Sequence, residues 1–235
     1  MHLNRTALEE GWSTETLVSA VVHRIFPGKI AVVSSFGAES AVLLHIVAGV
    51  DRSVPVIFLE TGKLFPETLR YRDTLIGRLG LTDVRSIQPD SGTLAAVDPD
   101  GKLWRTDPGL CCWHRKVEPL DAALAGFEAW ITGRKRFQGG KRTELELIES
   151  GEDGRTKVNP LAFWSEADLS GYLVEHDLPP HPLVAQGYRS IGCAVCTRPV
   201  RPGEAQRAGR WSGMDKTECG IHDRRVVVDA RGAGI

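Results

Sequence analysis

Apolar and polar positions along this chain recur at two periods, and the period switches several times. Between residues 6 and 26 the apolar positions have helical spacing and predict an amphipathic helix. KIAVVSS, residues 29–35, is a short β-branched run that predicts a strand, and the glycine-containing turn FGAES ends it. AVLLHIVAGV follows with the length and apolar content of a helix. VPVIFLE, residues 54–60, predicts a second buried strand, closed by Thr61 and Gly62. Residues 66–80, PETLRYRDTLIGRLG, open with proline and end with glycine, as helices do. TDVRSI (82–87) predicts a third strand, CCWHRKVEPLDAAL begins another helix, and FEAWITG (127–133) predicts a fourth strand. SEADLSGYLVEH, residues 165–176, predicts a helix with Ser165 as its cap and Asp168 three residues on, close to a capping box. Strands alternating with helices predict an α/β fold, a parallel sheet covered on both faces. From about residue 179 the chain is rich in Pro, Gly and Arg, and from about 211 the apolar periodicity is lost. Residues 1–210 are therefore expected to form the α/β domain, and residues 211–235 a mobile C-terminal tail.

Composition narrows the function classes. At 235 residues, 42% hydrophobic and 25% charged, the chain can bury a sizeable core. A formal net charge of -1 offers no global attraction to nucleic acid or a membrane surface. Positive charge is local, at Arg134, Lys135, Arg136, Lys141 and Arg142, and again at Arg198, Arg201, Arg207 and Arg210. The sequence contains no 18-residue apolar run, and MHLNRTALEEGWS contains no apolar signal-peptide core, so a cytoplasmic protein is expected. Thiols stay reduced there, so the five cysteines need a use other than disulfides.

Two features carry candidate chemistry. SSFGAES, residues 34–40, joins a strand to a helix, where backbone N–H groups and the helix dipole favour an anion. Ser34, Ser35 and Ser40 add hydroxyls there, and Gly37 permits close approach. Taken alone the loop is equally a plain strand-to-helix turn; it is neither Walker A nor Gly-x-Gly-x-x-Gly. Cys111 and Cys112 are adjacent, and Cys193 and Cys196 form a Cys-x2-Cys pair. Two thiolate pairs can close on one metal centre, and adjacent cysteines suit an iron–sulfur cluster better than a single zinc ion. Zinc, or inert buried cysteines, remain alternatives. Cys219 is left over, among Lys216, Glu218, Gly220 and His222, where Lys216 or His222 could lower a thiol pKa.

CCWHRKVEPL, GYRSIGCAVCTRP, GRW and ECGIH, in that order, resemble the iron–sulfur, adenylyl-sulfate (APS) reducing branch of the APS/PAPS reductase family. SSFGAESAVLLH and ETGKLFPET fall in the family's order as well, so the likeness runs from roughly residue 30 to 222. The resemblance implies a doubly wound, mostly parallel sheet of the adenine-nucleotide α-hydrolase type. It implies reduction of APS to sulfite and AMP, with thioredoxin or glutaredoxin as reductant. It implies Cys219 as nucleophile beside His222, and a 4Fe–4S cluster on Cys111, Cys112, Cys193 and Cys196. Lys116 would sit between cluster and substrate. Ser34, Ser35, Gly37 and Ser40 would line the phosphate loop, with Thr61 and Gly62 near the adenosine. Arg207 and Arg210 would contact the phosphosulfate, with Gly133, Arg136 and Arg142 as further substrate contacts. Two stretches depart from the family pattern: Glu60 replaces an Asp in Leu-Asp-Thr-Gly, and TGRKRFQGG replaces TGxRRxQS. PAPS reductases share the phosphate loop and ECGIH but typically lack the four cluster cysteines. ATP pyrophosphatases carry Ser-Gly-Gly-x-Asp-Ser, where this chain has Phe36 and Glu39 in the first Gly and Asp slots. A zinc-stabilised nucleic-acid module is the reading from another class. A homo-oligomer is compatible with the sequence.

Overall fold

The computed structural model describes residues 11–151 and 153–222. Residues 6–10 of the first expected helix, and the expected tail beyond residue 222, lie outside the described residues. The elements that organise the site are β1 (Ile30–Val33), β2 (Val56–Leu59), β3 (Val84–Ile87), β4 (Ala129–Thr132), β5 (Ile148–Ser150) and β6 (Thr156–Val158). Their order in the sheet is β3-β2-β1-β4-β6-β5. All pairings are parallel except that of β5 with β6.

Side chains of a strand alternate faces, and the central strands β1, β2 and β4 are apolar on both. Ile30, Val32, Val56, Phe58 and Ile131 meet one layer of helices: α1 (Thr14–Ala20), α2 (Ser40–Val50), α3 (Pro66–Leu79) and α8 (Glu166–Glu175). Ala31, Ile57 and Trp130 face the other way, onto Leu120 and Leu124. The intervening short helices are α4 (Ser91–Val97), α5 (Leu103–Thr106), α6 (Pro108–Cys112) and α7 (Glu118–Ala123).

The punctuation is chemical. Ser13 accepts from the Thr16 N–H at the start of α1. Asp107 caps α6, with Pro108 in its first turn. The capping box of α8 is complete, since Asp168 accepts the Ser165 N–H and Ser165 accepts the Asp168 N–H. Gly80 ends α3 in the left-handed region at φ 65°. The helix expected to begin at Cys111 in fact begins at Pro108, and a π-turn at Trp113–Val117 joins α6 to α7. Pro119 lacks an N–H and cannot continue the regular ladder, which gives the interruption its physical cause. Among the described residues no helix is long and apolar enough to cross a membrane.

Candidate active site

The sheet order reverses between β1 and β4, and ligands of open α/β sheets bind at the carboxyl ends of strands at such a point. A cavity opens there, lined by the loops that follow both strands. In the first loop the Ser34 hydroxyl accepts from the Phe36 N–H at 3.2 Å, and the Ser40 hydroxyl accepts from the Gly37 N–H at 2.8 Å. Phe36 is fully buried at φ 47°, a left-handed conformation costly for a bulky residue, and its ring packs edge-on against Phe58. No side chain caps the N-terminus of α2 behind this loop. Glu39 closes the loop instead. It pairs with the buried Lys135, and accepts from Gln138 at 3.0 Å and Gln206 at 2.5 Å. One carboxylate thus ties the loop after β1 to the loop after β4 and to the Arg-rich C-terminal segment. Burial pulls the Lys135 pKa below its ordinary value, against the pull of Glu39.

A second, smaller cavity is lined by Cys111, Cys112, Cys193 and Cys196, together with Lys63, Pro108, Arg115, Lys116, Val195, Arg210 and Trp211. The first two cysteines end α6; Cys193 bridges to Leu64 as an isolated β-bridge, and the Ala194 N–H donates to the Lys63 carbonyl. All five cysteines of the chain are free thiols. Among the described residues no three His, Cys, Asp or Glu side chains close on a single ion, whereas the four thiols surround a common space. Four thiols around one space are a donor set that suits a multi-iron cluster, whose thiolates ligate different irons. Burial pushes Cys111 up to about 11 and raises Cys112 and Cys196. At Cys193 burial is outweighed by Lys116, the Thr61 hydroxyl and Arg210, and its pKa falls. Burial opposes charge on Lys116 too, yet the sulfurs of Cys193, Cys219 and Cys112 hold its pKa above the ordinary value. Lys116, Arg210 and Trp211 line both cavities and form the wall between them.

The segment expected to be a loose tail from residue 211 is docked as far as His222. Trp211 is buried, and its backbone N–H donates to the Cys196 carbonyl. Ile221 packs on the apolar face of Trp130 and Leu120. The His222 ring stacks on Trp130 with centroids 5.1 Å apart and planes 5° from parallel, and its carbonyl accepts from Lys157 at 2.9 Å. Burial, then the charges of Arg134, Arg142, Lys157 and Arg207, push the His222 pKa well below its ordinary value. Glu218 accepts from Arg142 through both carboxylate oxygens, at 2.9 and 3.1 Å, and lies 3.2 Å from Arg207. Burial and the neighbouring Arg142 bring Arg207 down to about 10. Cys219, half-buried, faces the main cavity beside these groups.

The main cavity thus gathers Ser34, Ser35, Gly37, Ser40, Lys116, Gly133, Arg142, Arg207, Arg210, Cys219 and His222. Three expected residues lie outside it. Thr61 is buried with its hydroxyl 3.3 Å from the Cys193 sulfur, on the cysteine side. Gly62 turns beside Arg115 at φ 68°. Arg136 donates to the Leu145 carbonyl and stacks on Phe163, pointing away from the cavity. Arg134 and Lys135 line the cavity instead, but Glu149 and Glu39 neutralise them. Sequence reasoning missed Glu218, Gln138, Gln206 and Trp130, and gave Glu39 no role; none carries a spacing signal, and only the fold brings them to the loop clusters.

The fold and the paired cavities define an α/β protein of the adenine-nucleotide α-hydrolase type with a thiol in a cation-lined crevice. Comparison with known proteins agrees: residues 29–199 match the phosphoadenosine phosphosulfate reductase domain, and the chain belongs to that family. It is 52% identical to "Adenosine 5'-phosphosulfate reductase" of Mesorhizobium japonicum, over 88% of this chain and 81% of the relative. It is 51% identical to the protein of the same name from Chelativorans sp., over 89% and 86%. Among solved structures, the phosphoadenylyl-sulfate (PAPS) reductase of Candida auris, as a phosphate complex, aligns at TM-score 0.71 and 28% identity, covering 84% of this chain and 95% of that one.

Proposed function

We propose that the chain reduces APS to sulfite and AMP, with Cys219 as nucleophile and thioredoxin, or a glutaredoxin, as reductant. The observation that carries this reading is the position of Cys219, in one cavity with Lys116, Arg142, Arg207 and Arg210. The substrate is an anion that repels a thiolate, so cations must hold its oxygens before attack. Among the described residues neither Lys116 nor Arg210 has a carboxylate within ion-pair distance, and the buried Arg210 Nε lacks a hydrogen-bond partner. Both groups can therefore face a substrate oxyanion.

The Cys219 thiolate attacks the sulfur of APS. The S–O bond breaks, AMP leaves with the bonding electron pair on its phosphate oxygen, and Cys219 carries an S-sulfonate. One thiolate of the dithiol reductant then attacks the Cys219 sulfur and expels sulfite. The second reductant thiol attacks the resulting mixed disulfide and returns the Cys219 thiolate. The two electrons come from the dithiol. Cys111, Cys112, Cys193 and Cys196 would hold a 4Fe–4S cluster, which when bound contributes an anionic, rigid support beside Lys116. The docked position of residues 211–222 supports a tail that closes on the substrate and opens to the reductant. The chemistry needs Cys219 as a free thiol between turnovers, as the reducing cytoplasm would keep it.

The test is sulfite release with thioredoxin from APS and, separately, from PAPS, on anaerobically purified protein. Release from APS that is lost in Cys219→Ser is the expected result. Release from PAPS alone would move the assignment to the other branch of the family.

A further inference from the structure

Glu218 sits where the cavity most needs an anion. Its carboxylate forks onto Arg142 and lies against Arg207, and the three side chains are 18%, 12% and 15% exposed. Arg142 is held further by Gln138, and Arg207 donates to the Thr217 carbonyl, so both guanidinium groups are turned onto the tail. These are two of the three arginines assigned above to the substrate. A bidentate carboxylate and a phosphosulfate oxygen pair ask for the same donor fork. The cavity left beside Glu218 measures about 200 Å³, below the roughly 300–1,000 Å³ of sites that bury a drug-sized ligand. Substrate and the present position of Glu218 therefore compete for both charge and room.

We propose that Glu218 is an internal stand-in for the substrate's anion, a latch that holds the tail on Arg142 and Arg207 until the substrate displaces it. The inference rests on the reading that these arginines receive the phosphosulfate. Displacement moves the residue adjoining Cys219, so occupation of the anion seat is coupled to release of the nucleophile from its resting position. A ligand that cannot reach the seat leaves the tail where it is, because a ligand shifts an equilibrium only by its differential affinity for the two states.

The test uses the full-length, cluster-loaded enzyme and two unreactive probes. ADP carries a second phosphoryl anion where APS carries sulfate, and cannot sulfonate a thiol; AMP lacks that anion. Calorimetric titration of Glu218→Gln is expected to give ADP binding about tenfold tighter than in the wild type, about 1.4 kcal/mol, with AMP binding changed less than about twofold. Unchanged ADP affinity overturns the latch. An equal gain for ADP and AMP overturns it too, because that is the response to net charge alone. A second measurement needs no variant: alkylation of wild-type Cys219 by iodoacetamide, read on its peptide by mass spectrometry. Saturating ADP is expected to speed it several-fold and AMP to leave it unchanged; a rate unchanged or slowed by ADP overturns the latch. Sulfite release from APS on the same preparation separates the two failures. Release with failed binding measurements overturns the latch alone, and no release overturns the reading beneath it.

Discussion

Arg210 shows how closely a single side chain can be specified. It forms an isolated antiparallel bridge with Thr197, its guanidinium stacks on Trp211 at 4.5 Å, and it lies against Gly192. A Cβ on Gly192 would stand 2.2 Å from the arginine's Nη2, so a larger residue there pushes the guanidinium aside. A hydrogen bond to a charged group contributes about 1.5–3 kcal/mol. Steady-state kinetics of Arg210→Ala should accordingly show KM for APS raised about 10- to 100-fold. Arg210→Lys should recover little, because an ammonium cannot fork onto two oxygens. Gly192→Ala should mimic the arginine loss in part while leaving the visible absorbance of the proposed cluster in place. Arg207, Arg210 and the five cysteines line the two cavities, and the resemblance to family motifs had singled them out. Glu39 and Glu218 were not legible, since an acid that neutralises distant cations has no periodic signature. Arg136 misled for a related reason: in a basic run, only the backbone decides which of three consecutive cations faces the cavity.

At the scale of elements, the helix that ends in Cys111 and Cys112 is anchored by a buried ion pair. Arg115, in the π-turn, donates to Asp98 at 2.5 Å and to the Thr61 carbonyl at 2.8 Å, joining this helix to the end of β2. Removing one partner of a buried pair leaves the other charge stranded. Arg115→Ala should therefore lose about 3–5 kcal/mol in urea denaturation, and its iron content should fall with it. His181, 1% exposed, ties α3 to the turn after α8. Its Nδ1 accepts the Leu183 N–H, so Nε2 carries the proton and donates to Thr68. Burial lowers its pKa from 6.5 to about 4, since a second proton would remove the acceptor for Leu183. The unfolded chain thus binds a proton that the folded one refuses, and stability falls as pH drops from about 6.5 toward 4, by on the order of 3 kcal/mol in all. Thermal melts should show a steeper acid decline in the wild type than in His181→Gln; parallel slopes would contradict this. The four-residue strands β1–β4 and the longer helices were legible from their apolar runs and flanking turn residues. The three-residue β5 and β6, the short α4 and α5, and the π-turn were not, because a few residues carry too little pattern to separate strand from loop.

On the scale of the whole molecule, a switch-point crevice, a four-thiol cavity and a docked C-terminal segment meet at one wall made of Lys116, Arg210 and Trp211. The alternation of strands and helices was enough to foresee a parallel sheet with two covered faces. The packing of residues 211–222 was not foreseeable from composition, because their contacts with Trp130, Lys157 and the arginines are all long-range. Chemical analysis of anaerobically purified protein should find about four irons and four sulfides per chain. Substituting any one of Cys111, Cys112, Cys193 or Cys196 by serine should reduce both together. The most direct test of the account mixes cluster-loaded enzyme with APS in the absence of any reductant and maps the digested protein by mass spectrometry. A sulfonate confined to the peptide bearing Cys219, in an amount matching the AMP released, is the predicted result. AMP and sulfite formed in full while that peptide stays unmodified would contradict it.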